Sequence, residues 1–273
     1  MLGLATSQVM QMPGVDLQLV MTLLLQYFLA SLRIGAFLLS APLFGARWLP
    51  LQVRVIMALS MGAAVVSLVP PMDVNTLTSS LGMAMIFIEI AIGLTAGLTL
   101  TIWFAAMLMA GEKIATSSGL GFAAQVDPMT GANTPVVSQI LYLFLLVIFV
   151  SVDGHLLAMP TMMESYRILP LGSPVAPDVL IAAAIGAAGS MFMSAAIIML
   201  PIAMVLLMIN VTVGIISRSA PTLNLFSFGF PITLIAVFIL LYVSVGAFGA
   251  SSQDLVDSGI AYLQTMIGEL ANG

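Results

Sequence analysis

The chain contains no cysteine. Disulfides and thiolate metal sites are thereby excluded, although the compartment stays open. Histidine is nearly as scarce: His155 stands alone, in SVDGHLLAMP beside Asp153. A hydrolytic metal centre made of several His or Cys ligands has no material here. Also missing are an HExxH zinc motif, a GxSxG elbow and a phosphate-binding GxxxxGK[ST] loop. A Ser/His pair with His155 has no specificity, because any serine would serve. His155 therefore reads as a hydrogen-bonded helix-end residue, and no enzyme, cofactor or metal is expected.

Charge is the third scarcity. Only 6% of the 273 residues are charged, against 61% hydrophobic, and the mean hydropathy is +1.20. Soluble domains are about one-quarter charged, so this chain cannot cover a globule with polar side chains. It reads as an integral membrane protein. The net charge of −5, from 11 acidic and 6 basic residues, argues against nucleic acid or anionic lipid heads as partners. No basic stretch precedes the first apolar run, so no cleavable signal peptide is expected.

What is abundant is apolar length. Runs fall at about 17–40, 55–69, 81–110, 138–160, 179–209 and 226–249. A crossing of about 30 Å of hydrocarbon takes roughly 20 residues of helix. The breaks carry turn chemistry: Pro42 to Pro50 around Gly45 and Trp48, then Pro70–Pro71, then Pro170, Gly172, Pro174 and Pro177, then Pro221. No long polar domain interrupts the series, which predicts an all-α integral membrane protein with residues 1–273 as one helical membrane domain.

Two runs, 81–110 and 179–209, are longer than a crossing needs; about 30 residues make roughly 45 Å of straight helix. Gly93, Gly97 and Pro201 are expected to tilt or kink them. Arg33 and Glu89 lie inside apolar runs, where each charge costs a few kcal/mol at the bilayer centre. Both are expected to face a partner, a cavity or an assembly interface. Under strict alternation the loops carrying Arg47, Arg54, Lys113 and Arg218 share one side and Arg167 lies opposite. The positive-inside bias then places those loops in the cytoplasm and both termini outside.

Small residues recur at helical spacing in Gly93-x3-Gly97, Ala182-x3-Gly186 and Gly246-x3-Ala250, a pattern that permits close backbone approach but also arises by chance. The 21 methionines suit either a compliant lining or ordinary core and lipid-facing use. Near the end, Val256, Ile260, Leu263, Ile267 and Leu270 recur at spacings of 4, 3, 4 and 3. Ser251 and Asp254 resemble a capping box with an acid in place of Glu or Gln, so an amphipathic helix is expected over 251–273. It would lie on the membrane or, given its acidic character, dock on a neighbouring subunit.

The least helical-looking stretch is AGEKIATSSGLGFAAQVDPMTGANTP, residues 110–135. Adjacent Glu112 and Lys113, then Gly119, Leu120, Gly121 and Phe122, then Asp127–Pro128, separate two apolar runs. Non-helical backbone at membrane depth is tolerated only inside protein or along a water-filled cavity. The alternative is an ordinary solvated connection. A secondary transporter or small-solute channel is the rival reading of the whole chain, although no convincing internal repeat accompanies its broken segments.

Taken in order, the blocks resemble the FliR family of inner-membrane type III secretion export-gate subunits, whose virulence-system members share the pattern. The resemblance runs from Arg33 and Pro42 through LPLQVR at 49–54, EIAIGLTAG at 89–97 and AGEKIATSSGLGFAAQVDP at 110–128. It continues through DGH at 153–155, SYRILPLG at 165–172, INVTVGIISRSAP at 209–221 and NLFSFGFP at 224–231. It implies helices bent into hairpins, partly lifted toward the periplasm, in a hetero-oligomeric gate of the bacterial inner membrane at the flagellar basal body. It implies FliP- and FliQ-like partners around one copy of this chain, FlhB- and FlhA-like export proteins nearby, and unfolded polypeptides as cargo. It also implies a plug: residues 111–127 projecting into the channel, with Gly111, Glu112, Lys113, Gly119, Leu120, Gly121, Phe122, Asp127 and Pro128 as its candidates and 111–137 as the whole connection. Candidates for subunit contact are Arg33, Glu89, Gly93, Gly97, Asn210, Gly214, Arg218, Pro221 and Asn224. Of these, Asn210, Arg218, Pro221 and Asn224 are expected on a polar connection between the last two helices, where a satisfied turn is the alternative.

Overall fold

The computed structural model describes residues 17–71, 75, 79–119, 135–219 and 228–272. Among them the chain forms α1 (Leu17–Ser40), α2 (Leu51–Val65) ending in a 3₁₀ turn at Val66–Leu68, and α3 (Ser80–Ser117). There follow α4 (Val136–Ser151), α5 (Gly154–Ile168), α6 (Pro177–Ser219), α7 (Phe230–Val243) and α8 (Val245–Asn272). The starts are local chemistry. Ser79 accepts a hydrogen bond from the Gly82 N–H at the head of α3, and proline stands at Pro50, Pro135 and Pro177, where a missing N–H costs nothing.

Among the described residues, four helices (α1, α2 with its 3₁₀ turn, α3 and α6) are long and apolar enough to cross a membrane, and the pairs α4–α5 and α7–α8 would raise the number to six if each counts as one broken span. The first pair bends by 68° and the second by 60°. Asp153 makes the first bend by adopting a left-handed backbone, φ 57°. The long runs are longer still as helices. The 38 residues of α3 and the 43 of α6 are each continuous, with Pro201 inside the second. At a rise of about 1.5 Å per residue both far exceed the roughly 30 Å of hydrocarbon.

Helix α3 is the axis of the fold, packing against α1, α4, α6 and α8. Side-chain pairings give each neighbour's direction. Arg33 meets Glu89 and Ser40 meets Thr101, so α1 runs parallel to α3. Gly111 faces Ser138 and Phe104 faces Phe149, so α4 returns antiparallel. Asn210 reaches Ser117, which sets the ends of α3 and α6 together. The path therefore alternates, as a series of hairpins.

The tail departs from expectation. The final helix starts at Val245, straight after the bend, and not at Ser251. Val256, Ile260, Leu263, Ile267 and Leu270 are all buried, within a helix that packs on α3, α4, α5 and α6 of this same chain. The periodicity was real, but it marks an intramolecular core face, not a membrane surface or a neighbour's groove. A preceding span and a helix this amphipathic are joined by a bend, which is why no fresh N-cap is needed.

Candidate functional site

Two places in the fold gather polar contacts, one deep in the core and one at a partly exposed helix end. The first is the Arg33–Glu89 pair, at 0% and 1% exposure. Arg33 Nε donates to Glu89 Oε2 at 2.7 Å and Nη2 to Oε1 at 3.1 Å, a bidentate fork. Nη1 donates to the Ser165 carbonyl and hydroxyl, both at 3.0 Å, and Nη2 also donates to the Leu169 carbonyl at 3.0 Å. All five guanidinium N–H groups are thus engaged. The Tyr166 ring lies 4.4 Å from the guanidinium carbon, and its hydroxyl donates to the Ala30 carbonyl at 2.6 Å. Because the accepting carbonyls belong to the last turn of α5, the cation also sits at the negative end of that helix. Three elements are tied by one charge.

Arg33 and Glu89 were expected among the subunit contacts, yet here they face each other inside the chain. Gly93 and Gly97 likewise face inward. A Cβ on Gly93 would strike the Arg33 carbonyl oxygen and lie 2.8 Å from Ala36 Cβ, and one on Gly97 would lie 2.7 Å from the Phe37 carbonyl oxygen. The pair is the close crossing of α1 and α3, sealed by Thr101 Oγ1 donating to the Ser40 carbonyl at 2.6 Å. Ser165 and Tyr166 belong to SYRILPLG, but nothing in their spacing from Arg33 announced the contact.

The second place is the C-terminal end of α3. Irregular backbone was expected from Gly111 onward, but the helix continues to Ser117, and Gly111 is a site of close packing within it: a Cβ there would lie 2.6 Å from Ser138 Cα. Glu112 and Lys113 are exposed on its last turns, and neither has an ion-pair partner among the described residues. Gly119 then leaves the helix in a left-handed conformation, φ 84°, against the ring of Phe230. Leu120, Gly121, Phe122, Asp127 and Pro128 lie outside the described residues.

From α6, Asn210 Nδ2 donates to the Ser117 carbonyl at 2.9 Å. From α7, the buried Thr233 hydroxyl lies 3.2 Å from the Ser118 carbonyl oxygen. Asn210 and Arg218 are therefore helical residues of α6, which runs on to Ser219, and not parts of a polar connection. A Cβ on Gly214 would meet nothing within 4 Å, and Arg218 is exposed. Pro221 and Asn224 lie outside the described residues. His155 also differs from expectation, since its Nδ1 is buried with no hydrogen-bond partner among the described residues, its ring edge-on to Phe149.

Comparison with known proteins fits this arrangement to a lineage. The flagellar biosynthetic protein FliR of Pectobacterium carotovorum is 35% identical over 213 residues, covering 77% of this chain and 80% of its own length. That of Escherichia coli K12 is 30% identical over 246 residues, covering 89% and 93% respectively. That of Bacillus subtilis is 29% identical over 223 residues, covering 80% and 85%. The family model described as "Bacterial export proteins, family 1" matches residues 24–259, a span that takes in both the buried ion pair and the end of α3, and the chain belongs to that family.

Proposed function

We propose that this chain is a subunit of the flagellar type III protein export gate, helping to form a channel through which unfolded flagellar proteins cross the bacterial inner membrane. The observation that supports this is similarity along most of the chain to relatives named as flagellar biosynthetic proteins. The chain performs no chemistry. One copy joins FliP- and FliQ-like subunits, with FlhB- and FlhA-like proteins beside them, and the assembly is displaced in part toward the periplasm. The driving force comes from the proton-motive force and a separate cytoplasmic ATPase. The continuation of α3 seals the resting channel and is displaced by cargo. Since residues 111–117 are helical, they are the stem of this plug, and the seal itself follows Ser118.

Two measurements test the reading in turn. Intact-complex mass spectra of a tagged chain, taken from native membranes in mild detergent, are expected to show a large assembly with FliP- and FliQ-like chains and one copy of this one. A stable lone monomer or homodimer would overturn it. In that complex, deletion of residues 120–127 is expected to make the resting membrane leaky to small ions, and an unchanged conductance would sink the plug.

A further inference from the structure

Helices α1 to α7 each expose large apolar side chains, among them Ile56 on α2, Phe87 on α3, Val147 on α4 and Phe238 on α7. On α8 such exposure stops at the first residue, Val245; beyond it the large aliphatic side chains and Phe248 are buried and the Tyr262 ring is half-buried. What α8 turns outward instead is Asp254, Asp257, Ser258, Ala261, Thr265 and Glu269. At about 3.6 residues per turn these positions share one face, roughly 22 Å from end to end. The helix has no Lys, Arg or His to answer its carboxylates. The ion pairs among the described residues, Arg33–Glu89 and Glu164–Arg167, involve none of them.

Hydrocarbon is a poor neighbour for this face, because each ionised carboxylate is costly there. Bare water fits it no better, because apolar hollows flank it on both sides. On one flank a groove of about 430 Å³ runs between α5 and α8, with Ile168 and Ile267 in its lining beside Glu164 and Gln264. On the other a cleft of about 130 Å³ lies between α6 and α8, where Ile197 and Ile198 meet Ser194 and Asp254. Ile168 and Ile197 are 46% and 63% exposed. Apolar hollows within a charged margin are the anatomy of a protein contact, in which the hollows take side chains and the charges select the partner. We infer that this face of α8, with the hollows beside it, docks a lysine- or arginine-bearing segment of another subunit. Long basic side chains lay their methylene stems over Ile168 or Ile197 and set their heads against Glu164 or Asp254. Arg167 is already spent on Glu164 at 3.5 Å, so the charge left to attract a partner is negative. Ala261, in the middle of the face, lets the partner's backbone come close. The buried side of α8 keeps its place in the core throughout. The inference rests on the chain being a subunit of an assembly, as proposed above.

The chain has no native cysteine, so Ser258→Cys and Thr265→Cys each place a single label on the face. In the purified assembly both are expected to react with a soluble maleimide about tenfold more slowly than in the full chain produced alone. Adding Asp254→Lys with Asp257→Lys is expected to restore fast labelling and to lower the yield of assembly about tenfold. Asp254→Glu with Asp257→Glu keeps the charges and is expected to match the wild type in both readouts. Melting of the separate chain should not distinguish these variants, since both positions are exposed. An intact assembly in which the labels react as fast as in the lone chain would overturn the docking and leave the face to water. Protection that survives the charge reversal would overturn the basic partner. A chain that purifies only alone would overturn the export-gate reading, and the docking with it.

Discussion

Arg33 shows how a charge is made tolerable inside an apolar bundle. Taking a carboxylate and a guanidinium out of water costs several kcal/mol each, which mutual attraction offsets only when the remaining hydrogen-bonding groups are also satisfied. Here the fork to Glu89, the carbonyls of Ser165 and Leu169 and the Ser165 hydroxyl leave no guanidinium N–H free. Glu89→Leu alone should therefore lower stability in detergent by about 3–5 kcal/mol, because it strands the cation. Arg33→Met with Glu89→Leu should regain most of that loss, as apolar replacements of buried pairs often do. Unfolding midpoints of the two variants decide it, and equal losses would show that the pair itself matters less than the volume it fills. Both charges were conspicuous in the sequence, because each interrupts an apolar run. Their pairing was not, because 56 residues and a change of helix separate them and no periodicity links positions on different helices. Ser165 and Tyr166, 132 and 136 residues away from their partners on α1, were hidden for the same reason.

At the scale of elements, one small-residue pattern has three outcomes. Gly93 and Gly97 form a tight crossing; Gly186 lies under the Tyr262 hydroxyl, which donates to the Ala183 carbonyl at 2.8 Å; a Cβ on Gly246 would meet nothing within 4 Å. Spacing reports that a face is narrow, but only the path of the chain decides what meets it. Gly97→Ala should cost about 1–3 kcal/mol, since the added methyl meets backbone of α1 that cannot retreat without separating the helices. Gly189→Ala on α6, where a Cβ meets nothing within 4 Å, should be neutral or stabilising by up to about 1 kcal/mol through helix propensity. Melting curves that moved equally for both would refute the assignment of the α1–α3 crossing. The runs of apolar residues made the helices legible. Their ends were less so, since Gly111 and the INVTVGIISRS stretch look like breaks, yet both lie within continuous helix, Gly111 packed on Ser138 and Asn210 bonded to the end of α3. Local sequence could not register partners that arrive from elsewhere in the fold.

For the whole molecule, the decisive contrast is between the inside and outside of α6. Its inner face supplies the core, through Ala183, Ala187, Ala195, Ile198, Ile202 and Leu206. Its outer face leaves Met204, Leu207, Met208, Val211 and Ile215 exposed, with Gly214 open among them. A helix of this length cannot be wholly dissolved in hydrocarbon, so much of that face has to meet protein if the chain sits in an assembly. We propose Gly214 as a place where another backbone approaches, a role that would offset the loss of about 1 kcal/mol that glycine inside a helix carries relative to alanine. Gly214→Phe should leave the stability of the separate chain within about 0.5 kcal/mol of wild type, as surface changes usually do. The same substitution should lower copurification of FliP- and FliQ-like subunits by about tenfold, the effect of roughly 1.4 kcal/mol at a shared surface. Arg218→Glu, one turn further on, reverses the only charge on the last turns of α6 and should act in the same direction. Full copurification with both variants would mean that this end of α6 faces lipid or water. The subunit contacts would then have to lie on the other exposed helices, such as α2 and α7, which also present large apolar side chains to the outside.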